Sequence, residues 1–355
     1  RSKYTGAYRH DVRCVRVEGR YFMKKALMVV GRGVEQFLTD GMMDELSKGV
    51  DLTVRNNERF DEDVYLNLVR ETQAEILITG WNSPLLTSEI VAQNPQLKYM
   101  CNLTGSVRSM VARDVVAQGL LVSNWGNLIG PTVAEAALMA MLSCLRRTVR
   151  VAFLMHHEKG WRGSGPKDVE SLFYQKVGLH GFGNIAQILV KLLAPFECDI
   201  SAYDPYAKDE VFERLGVKRV SDLKTLYANN KIVSIHAPKT DETYHIVNAE
   251  MLATMADGSI LVNTARGALI DTDALILELK TGRLLASLDV YEQEPLPSES
   301  ALRGLLNCQL SPHTGGPTPD RMVDFGRAAI ENIARYQTGE AVLHKVDVQT
   351  YDLIT

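Results

Sequence analysis

Long apolar runs are missing from this chain. The strongest, "AALMAMLSCL" at 136–145, falls well short of the roughly 20 residues that cross a bilayer, so no membrane span is expected. Basic excess is missing too. The 39 Lys and Arg stand against 43 Asp and Glu for a net charge of −4, which leaves no electrostatic footprint for nucleic acid. Cysteine is sparse: the five, at 14, 101, 144, 198 and 308, are odd in number and far apart, and none forms a CxxC or other metal-ligand spacing. They read as small buried hydrophobes in a reducing compartment, so neither a disulfide framework nor a bound metal is expected. The first 22 residues carry six Lys or Arg and two acids but lack the apolar core of a signal peptide. The expectation is a soluble cytoplasmic protein with "MKKALMVV" from Met23 as its natural beginning and 1–22 as an extension without an assigned role. Solenoid repeats and low-complexity tracts are absent as well.

What remains is an ordinary globular composition, 46% apolar and 23% charged, in 355 residues. That length suits about two domains, because single cores stop growing near 250 to 300 residues. Short apolar runs alternate with longer amphipathic segments, the pattern of parallel βα units. One set of strands is expected at 26–30, 75–79, 97–103 and 120–123, and a second at 177–180, 199–203, 231–236, 259–263 and 284–290. In "GPTVAEAALMAMLSCLRR", Thr132 and Glu135 stand at capping-box spacing, so a helix should leave the first lobe there. A polar loop is expected at 156–168, followed by the second lobe. Thr318 and Pro319 then read as the N-cap and first residue of a helix that carries the chain back. The expected domains are 23–130 with 317–355, and 131–316.

Chemistry concentrates in the second set. "GLHGFGNIA" places Gly181, Gly183 and Ala186 in a GxGxxA pattern after an apolar strand and at the opening of a helix. Glycine allows the tight turn and the close approach of a pyrophosphate to the unpaired N–H groups of a helix N-terminus. Asp204 follows Gly181 by 23 residues, at the end of the next strand. A carboxylate there accepts from an adenosine ribose and repels a 2′-phosphate, which favours NAD. "NTARGALID", "LDVYEQEPLP" and "SPHTGG" each follow a predicted strand, so Arg266, Glu294 and His313 could converge beyond the strand ends. Proline and glycines around His313 hold its imidazole at a fixed point. His10, His156, His157, His245 and His344 have no such setting, and solvent exposure is expected for them.

In these motifs, together with "YDP" and "SIHAPKTDETYHIVN", the chain resembles the D-isomer-specific 2-hydroxyacid dehydrogenase family over nearly everything from Met23 onward. The resemblance implies an α/β protein of two Rossmann-like or flavodoxin-like doubly wound parallel-sheet domains, with the active site in the cleft between them. The 131–316 domain would bind NAD and the other the substrate. It further implies Arg266 as the substrate-binding arginine, Glu294 as the carboxylate paired to the histidine, and His313 as the acid/base. Cofactor contacts are implied at Gly181, Phe182, Gly183, Asn184, Ile185, Asp204, Pro205, His236, Ala237, Thr243, Thr264, Ala265, Arg266, Asp289, His313, Gly315 and Gly316, with Asp289 at the nicotinamide carboxamide. Substrate contacts are implied at Trp81, Asn82, Gly105 and Ser106, beside Arg266. "TGSVR" departs from the family's usual GxGxD, with Arg108 in the place of the acid, and His180 and Asn184 are less usual neighbours of the glycine turn.

The expected reaction moves a hydride between NAD(H) and a small D-2-hydroxy acid/2-oxo acid pair. Imidazolium donates the proton that the carbonyl oxygen needs, and a neighbouring carboxylate favours that charged form. The Arg266 guanidinium fits an α-carboxylate two-pronged. Trp81 and Asn82 add no charge, so a substrate without phosphate is expected. The resemblance also implies a homodimer with 132–165 as a contributor. An NADH-sensing corepressor of the same fold, with little turnover, is the alternative from another class.

Overall fold

The structure, a computed structural model, describes residues 23–56 and 60–351. The 1–22 segment, with His10 and Cys14, lies outside the described residues. Two compact units emerge: one is built from the chain up to Leu128 and again from Pro319, the other from Ile129 to Thr318.

In the first unit the strands are β1 (Lys25–Val30), β2 (Asp51–Asn56), β3 (Ile76–Thr79), β4 (Tyr99–Asn102) and β5 (Leu121–Ser123). They are parallel and ordered β2-β1-β3-β4-β5, the flavodoxin-like arrangement. β3 and β4 are buried along their whole length, which explains their continuous apolar runs. The helix Met322–Thr338 packs on this sheet, with Met322, Phe325, Ala329, Ile330 and Ile333 on its buried face. Its start differs from the expectation. Pro319 opens a 3-10 turn, Pro319–Arg321, and the α-helix begins three residues later.

The second unit holds β6 (Lys176–His180), β7 (Asp199–Tyr203), β8 (Lys218–Arg219), β9 (Ile232–Ile235), β10 (Ile260–Asn263), β11 (Leu285–Leu288) and β12 (Cys308–Leu310). Its seven parallel strands run β12-β11-β10-β9-β6-β7-β8. Counted from β6 this is the Rossmann order with one added strand, and the order reverses between β6 and β9, where ligands of such sheets bind.

The helix Gly130–Leu145 belongs to this unit and corrects two expectations. Thr132 lies inside it and donates its hydroxyl to the Ile129 carbonyl at 2.9 Å, so the capping box does not form. Pro131 in the first turn and a preceding 3-10 turn start the helix instead. The apolar stretch is also longer than read, since Gly126–Leu145 has a mean hydropathy of 1.7 and is long enough to cross a bilayer. Its apolarity is used in the core, where Ala134, Ala137, Ala140, Met141, Cys144 and Leu145 pack with Val177, Leu179 and Val262. The stretch read as a polar loop at 156–168 begins in a π-turn, Leu154–Glu158, and contains a 3-10 turn, Arg162–Ser164. Among the described residues Cys101, Cys144, Cys198 and Cys308 are free. His344, expected in solvent, is half-buried with its ring against Gly126.

Candidate active site

The glycine turn after β6 is set by sterics. Gly181 has φ of 95°, and a methyl group there would lie 2.6 Å from the Ala237 nitrogen, so any side chain is excluded twice. Its own N–H donates to the Tyr203 carbonyl at 2.8 Å. Gly183 precedes the helix Asn184–Leu193 without any side-chain cap, and a Cβ at Gly183 would meet open space. Unpaired N–H groups at an open glycine are what a diphosphate requires. Phe182 is buried against Phe212, and the Asn184 amide turns toward Gly130.

Asp204 does more than the sequence suggested. Oδ2 accepts from the Phe182 N–H at 2.7 Å, and Oδ1 accepts from Tyr206 and Ala207 at 2.8 and 2.9 Å. The carboxylate therefore ties the end of β7 to the glycine turn. With about four acceptor positions in all, one remains for a ribose hydroxyl. Pro205 beside it is exposed. Main chain of His236 and Ala237 abuts Gly181, while the His236 Nε2 is sealed without a partner. Thr243 is occupied internally, donating to the Pro238 carbonyl at 2.8 Å and accepting from the Thr240 N–H at 2.7 Å.

Beyond β11 and β12 the loops are pinned on one buried carboxylate. Asp289 accepts from Ser311 Oγ at 2.6 Å, from Thr314 N–H at 2.9 Å and from Gly315 N–H at 2.8 Å. A methyl on Gly315 would lie 2.7 Å from that carboxylate, which accounts for the glycine. Asp289, Thr264, Thr314, Gly315 and Gly316 border a cavity of about 250 Å³, and the Thr264 hydroxyl beside it is sealed with no partner. An orphaned buried hydroxyl is costly, and a bound carboxamide or ribose would satisfy it. The fit of this unit to a dinucleotide therefore rests on the open glycine, the uncapped helix and this hydroxyl.

His313 sits on the loop so fixed, at φ of 55°, a left-handed conformation uncommon outside glycine. Its Nδ1 lies 2.7 Å from Glu294 Oε2. Glu294 Oε1 accepts from the Tyr291 N–H at 2.9 Å, and the Tyr291 hydroxyl donates to the carbonyls of Leu288 and Ser311. One tyrosine thus ties the carboxylate's turn to the histidine's loop. With Nδ1 held by the carboxylate, Nε2 is the nitrogen left for a reacting atom.

Arg266 follows β10 in extended conformation, its guanidinium Nη1 donating to the Ala265 carbonyl at 2.6 Å. Buried Asn263 shapes this turn, donating to the Arg266 carbonyl at 2.9 Å and accepting from the Ala265 N–H at 3.0 Å. A Cβ on Gly267 would lie 1.9 Å from the Tyr291 carbonyl carbon, so the arginine's turn and the glutamate's turn touch through main chain. Asn263, Tyr291 and Ser311 were not anticipated. Their signal is positional: each lies within three residues of the end of a strand.

In the first unit, Trp81 packs on Phe37 with ring centroids 5.0 Å apart, and Asn82 adopts φ of 61° against Gly31. Gly105 backs onto the Trp125 indole, and the carbonyls of Gly105 and Ser106 accept from the Asn124 and Asn102 amides. Arg108 is exposed. Among the described residues no group of three or more His, Cys, Asp or Glu could hold a metal ion.

Residues 138–315 match the family model described as D-isomer specific 2-hydroxyacid dehydrogenase, NAD binding domain. Hydroxypyruvate reductase of Thermotoga maritima is 34% identical over 281 residues, 78% of this chain and 89% of that one. Glyoxylate reductase of Thermococcus litoralis is 31% identical over 285 residues, 78% and 84% of the two chains. In fold, the crystal structure of a glyoxylate reductase from Paecilomyes thermophila superposes with a TM-score of 0.77 at 23% identity, covering 92% of this chain and 99% of that one.

Proposed function

This chain belongs to the D-isomer-specific 2-hydroxyacid dehydrogenases, and on that premise we propose that Arg266, Glu294 and His313 carry its reaction. It is an NAD-dependent oxidoreductase that interconverts 2-hydroxy and 2-oxo acids. Bound NAD supplies the hydride acceptor, and NADH the hydride donor. His313 Nε2 delivers a proton to the carbonyl oxygen of the oxo acid, or takes it from the hydroxyl in reverse. Glu294, 2.7 Å from Nδ1, fixes the tautomer and the orientation of the ring. Arg266 clamps the α-carboxylate in a planar fork and opposes the charge that develops on the oxygen. The single observation behind this assignment is the His313–Glu294 contact on a loop pinned by three hydrogen bonds to Asp289.

The finer substrate assignment is a D-2-hydroxy acid without phosphate. Trp81, Asn82, Gly105 and Ser106 bring no cationic side chain, and a phosphate is usually met by one. D-3-phosphoglycerate dehydrogenase of Methanocaldococcus jannaschii is also a relative, 31% identical, although the match covers 52% of its length. Specificity constants for glyoxylate, hydroxypyruvate, pyruvate and phosphohydroxypyruvate with NADH and with NADPH test the reading. The expected preference is for NADH and an unphosphorylated oxo acid; a preference for phosphohydroxypyruvate contradicts it. The assembly we infer is a homodimer, supported by the exposed apolar side chains of Val151, Met155 and Trp161 within the expected 132–165 segment. Light scattering at micromolar concentration would read twice the 39.5 kDa chain mass, and a single-chain mass contradicts it.

A further inference from the structure

His245, expected in solvent, is instead half of a second imidazole–carboxylate pair. Its Nε2 bonds Glu292 Oε1, and the two side chains keep 31% and 30% of their exposure. Glu292 Oε2 accepts from the Thr272 N–H at 3.3 Å. Burial works to raise the Glu292 carboxyl, but the bonds from Thr272 and His245 outweigh it and hold the group below the usual carboxylate range. His245 is itself built in. It has φ of 49°, its ring stacks on Tyr244 at 4.0 Å and 13°, and its N–H donates to the Ala268 carbonyl at 2.9 Å. Two residues on, Val247 pairs with Ile270 in a parallel bridge.

The topology gives this pair its meaning. Ala268 and Ile270 belong to the turn that begins at Arg266, and Thr272 opens the helix Thr272–Thr281 directly after it. Glu292 stands two residues before Glu294, on the turn that meets Gly267 main chain to main chain. One carboxylate thus spans the arginine's turn, the histidine's segment and the glutamate's turn. We propose that Glu292 and His245 are positioning residues that hold the Arg266 turn and the Glu294 turn in register, so that His313 keeps its carboxylate partner through the reaction. The physical requirement is tight, because a catalytic constellation tolerates roughly 0.5 Å of misplacement. This inference rests on the roles given above to Arg266, Glu294 and His313.

The experiment compares Glu292→Ala, Glu292→Gln and His245→Gln in the full chain, by steady-state kinetics across pH and by NADH fluorescence titration. The alanine variant is expected to lose tenfold or more in kcat, with its kcat/KM profile for oxo acid reduction displaced along the pH axis. NADH affinity should stay within about threefold, because the glycine turn is untouched. Glu292→Gln keeps an oxygen for the Thr272 amide and should recover most of the turnover. His245→Gln should reproduce a milder form of the alanine phenotype and serves if Glu292→Ala does not fold. Wild-type kcat and an unmoved profile in Glu292→Ala or, if that variant does not fold, in His245→Gln overturn the inference, as does a loss that tracks NADH affinity alone. Failure of the underlying assignment is separable: His313→Ala would then keep its activity, whereas failure of the positioning role leaves His313→Ala inactive and Glu292→Ala normal.

Discussion

At the scale of single residues, the site is a set of carboxylates each doing two things. Asp204 ties β7 to the glycine turn and keeps one acceptor position open, and Asp289 gathers three donors from the loop that bears His313. Arg266, Glu294 and His313 were singled out from short sequence motifs; those of Arg266 and Glu294 follow apolar runs, whereas β12, the strand before His313, has none. The supporting atoms were not legible in the sequence. Asn263, Tyr291 and Ser311 act through geometry that only the fold supplies, and His245 looked like any loop histidine until Glu292 was placed beside it. Arg266→Lys separates fork geometry from charge. A lysine keeps the charge but loses the two-pronged contact, so kcat/KM should fall about tenfold to 100-fold, using about 1.5–3 kcal/mol for a hydrogen bond to a charged group. Equal kcat/KM in the lysine variant, measured with the best oxo acid, would show that charge alone suffices.

At the scale of elements, the strands missed from sequence are edges. β2 contains no buried residue, β8 is fully exposed, and β12 is a three-residue strand at the far side of its sheet. A strand covered on one side only needs no continuous apolar run, so the signal that found the central strands is absent there. Helix starts were misread for a related reason. At Gly130 and Met322 the first turn is shaped by a preceding 3-10 turn and a proline, and the Thr side chains that looked like caps are not used as such. The glycine turn is the element with the least freedom. Gly181→Ala meets both a positive φ and the Ala237 main chain, so NADH affinity should drop at least tenfold and the melting temperature by several degrees. Titration of NADH fluorescence and a thermal melt read the two effects, and a variant that binds NADH as tightly as wild type contradicts this account of the turn.

At the scale of the whole molecule, two parallel sheets of five and seven strands present their chemistry at strand ends. The second unit also carries a buried liability in His180, whose Nδ1 lies 3.1 Å from the Tyr227 hydroxyl. Burial pushes this imidazole down to about 4, against an opposing pull from Asp204. Above about pH 6.5 folded and unfolded chains are both neutral there, and the group has no effect on stability. As pH falls from 6.5 toward 4 the unfolded chain takes the proton and the folded one does not, so stability is lost, on the order of 3 kcal/mol by the lower end. Urea unfolding at pH 7 and pH 4.5 should therefore show a smaller difference in His180→Leu than in wild type, whatever the variant's absolute stability; an equal difference places the acid sensitivity elsewhere.

The proton transfer assigned to His313 is tested most directly by the steady-state rate of NADH oxidation by His313→Ala with the best 2-oxo acid at saturation. Removing a general acid costs at least about 100-fold, so the variant should turn over at no more than about one hundredth of the wild-type rate while still binding NADH. A rate within a few-fold of wild type would mean that another group protonates the substrate and that the imidazole beside Glu294 serves only the fold.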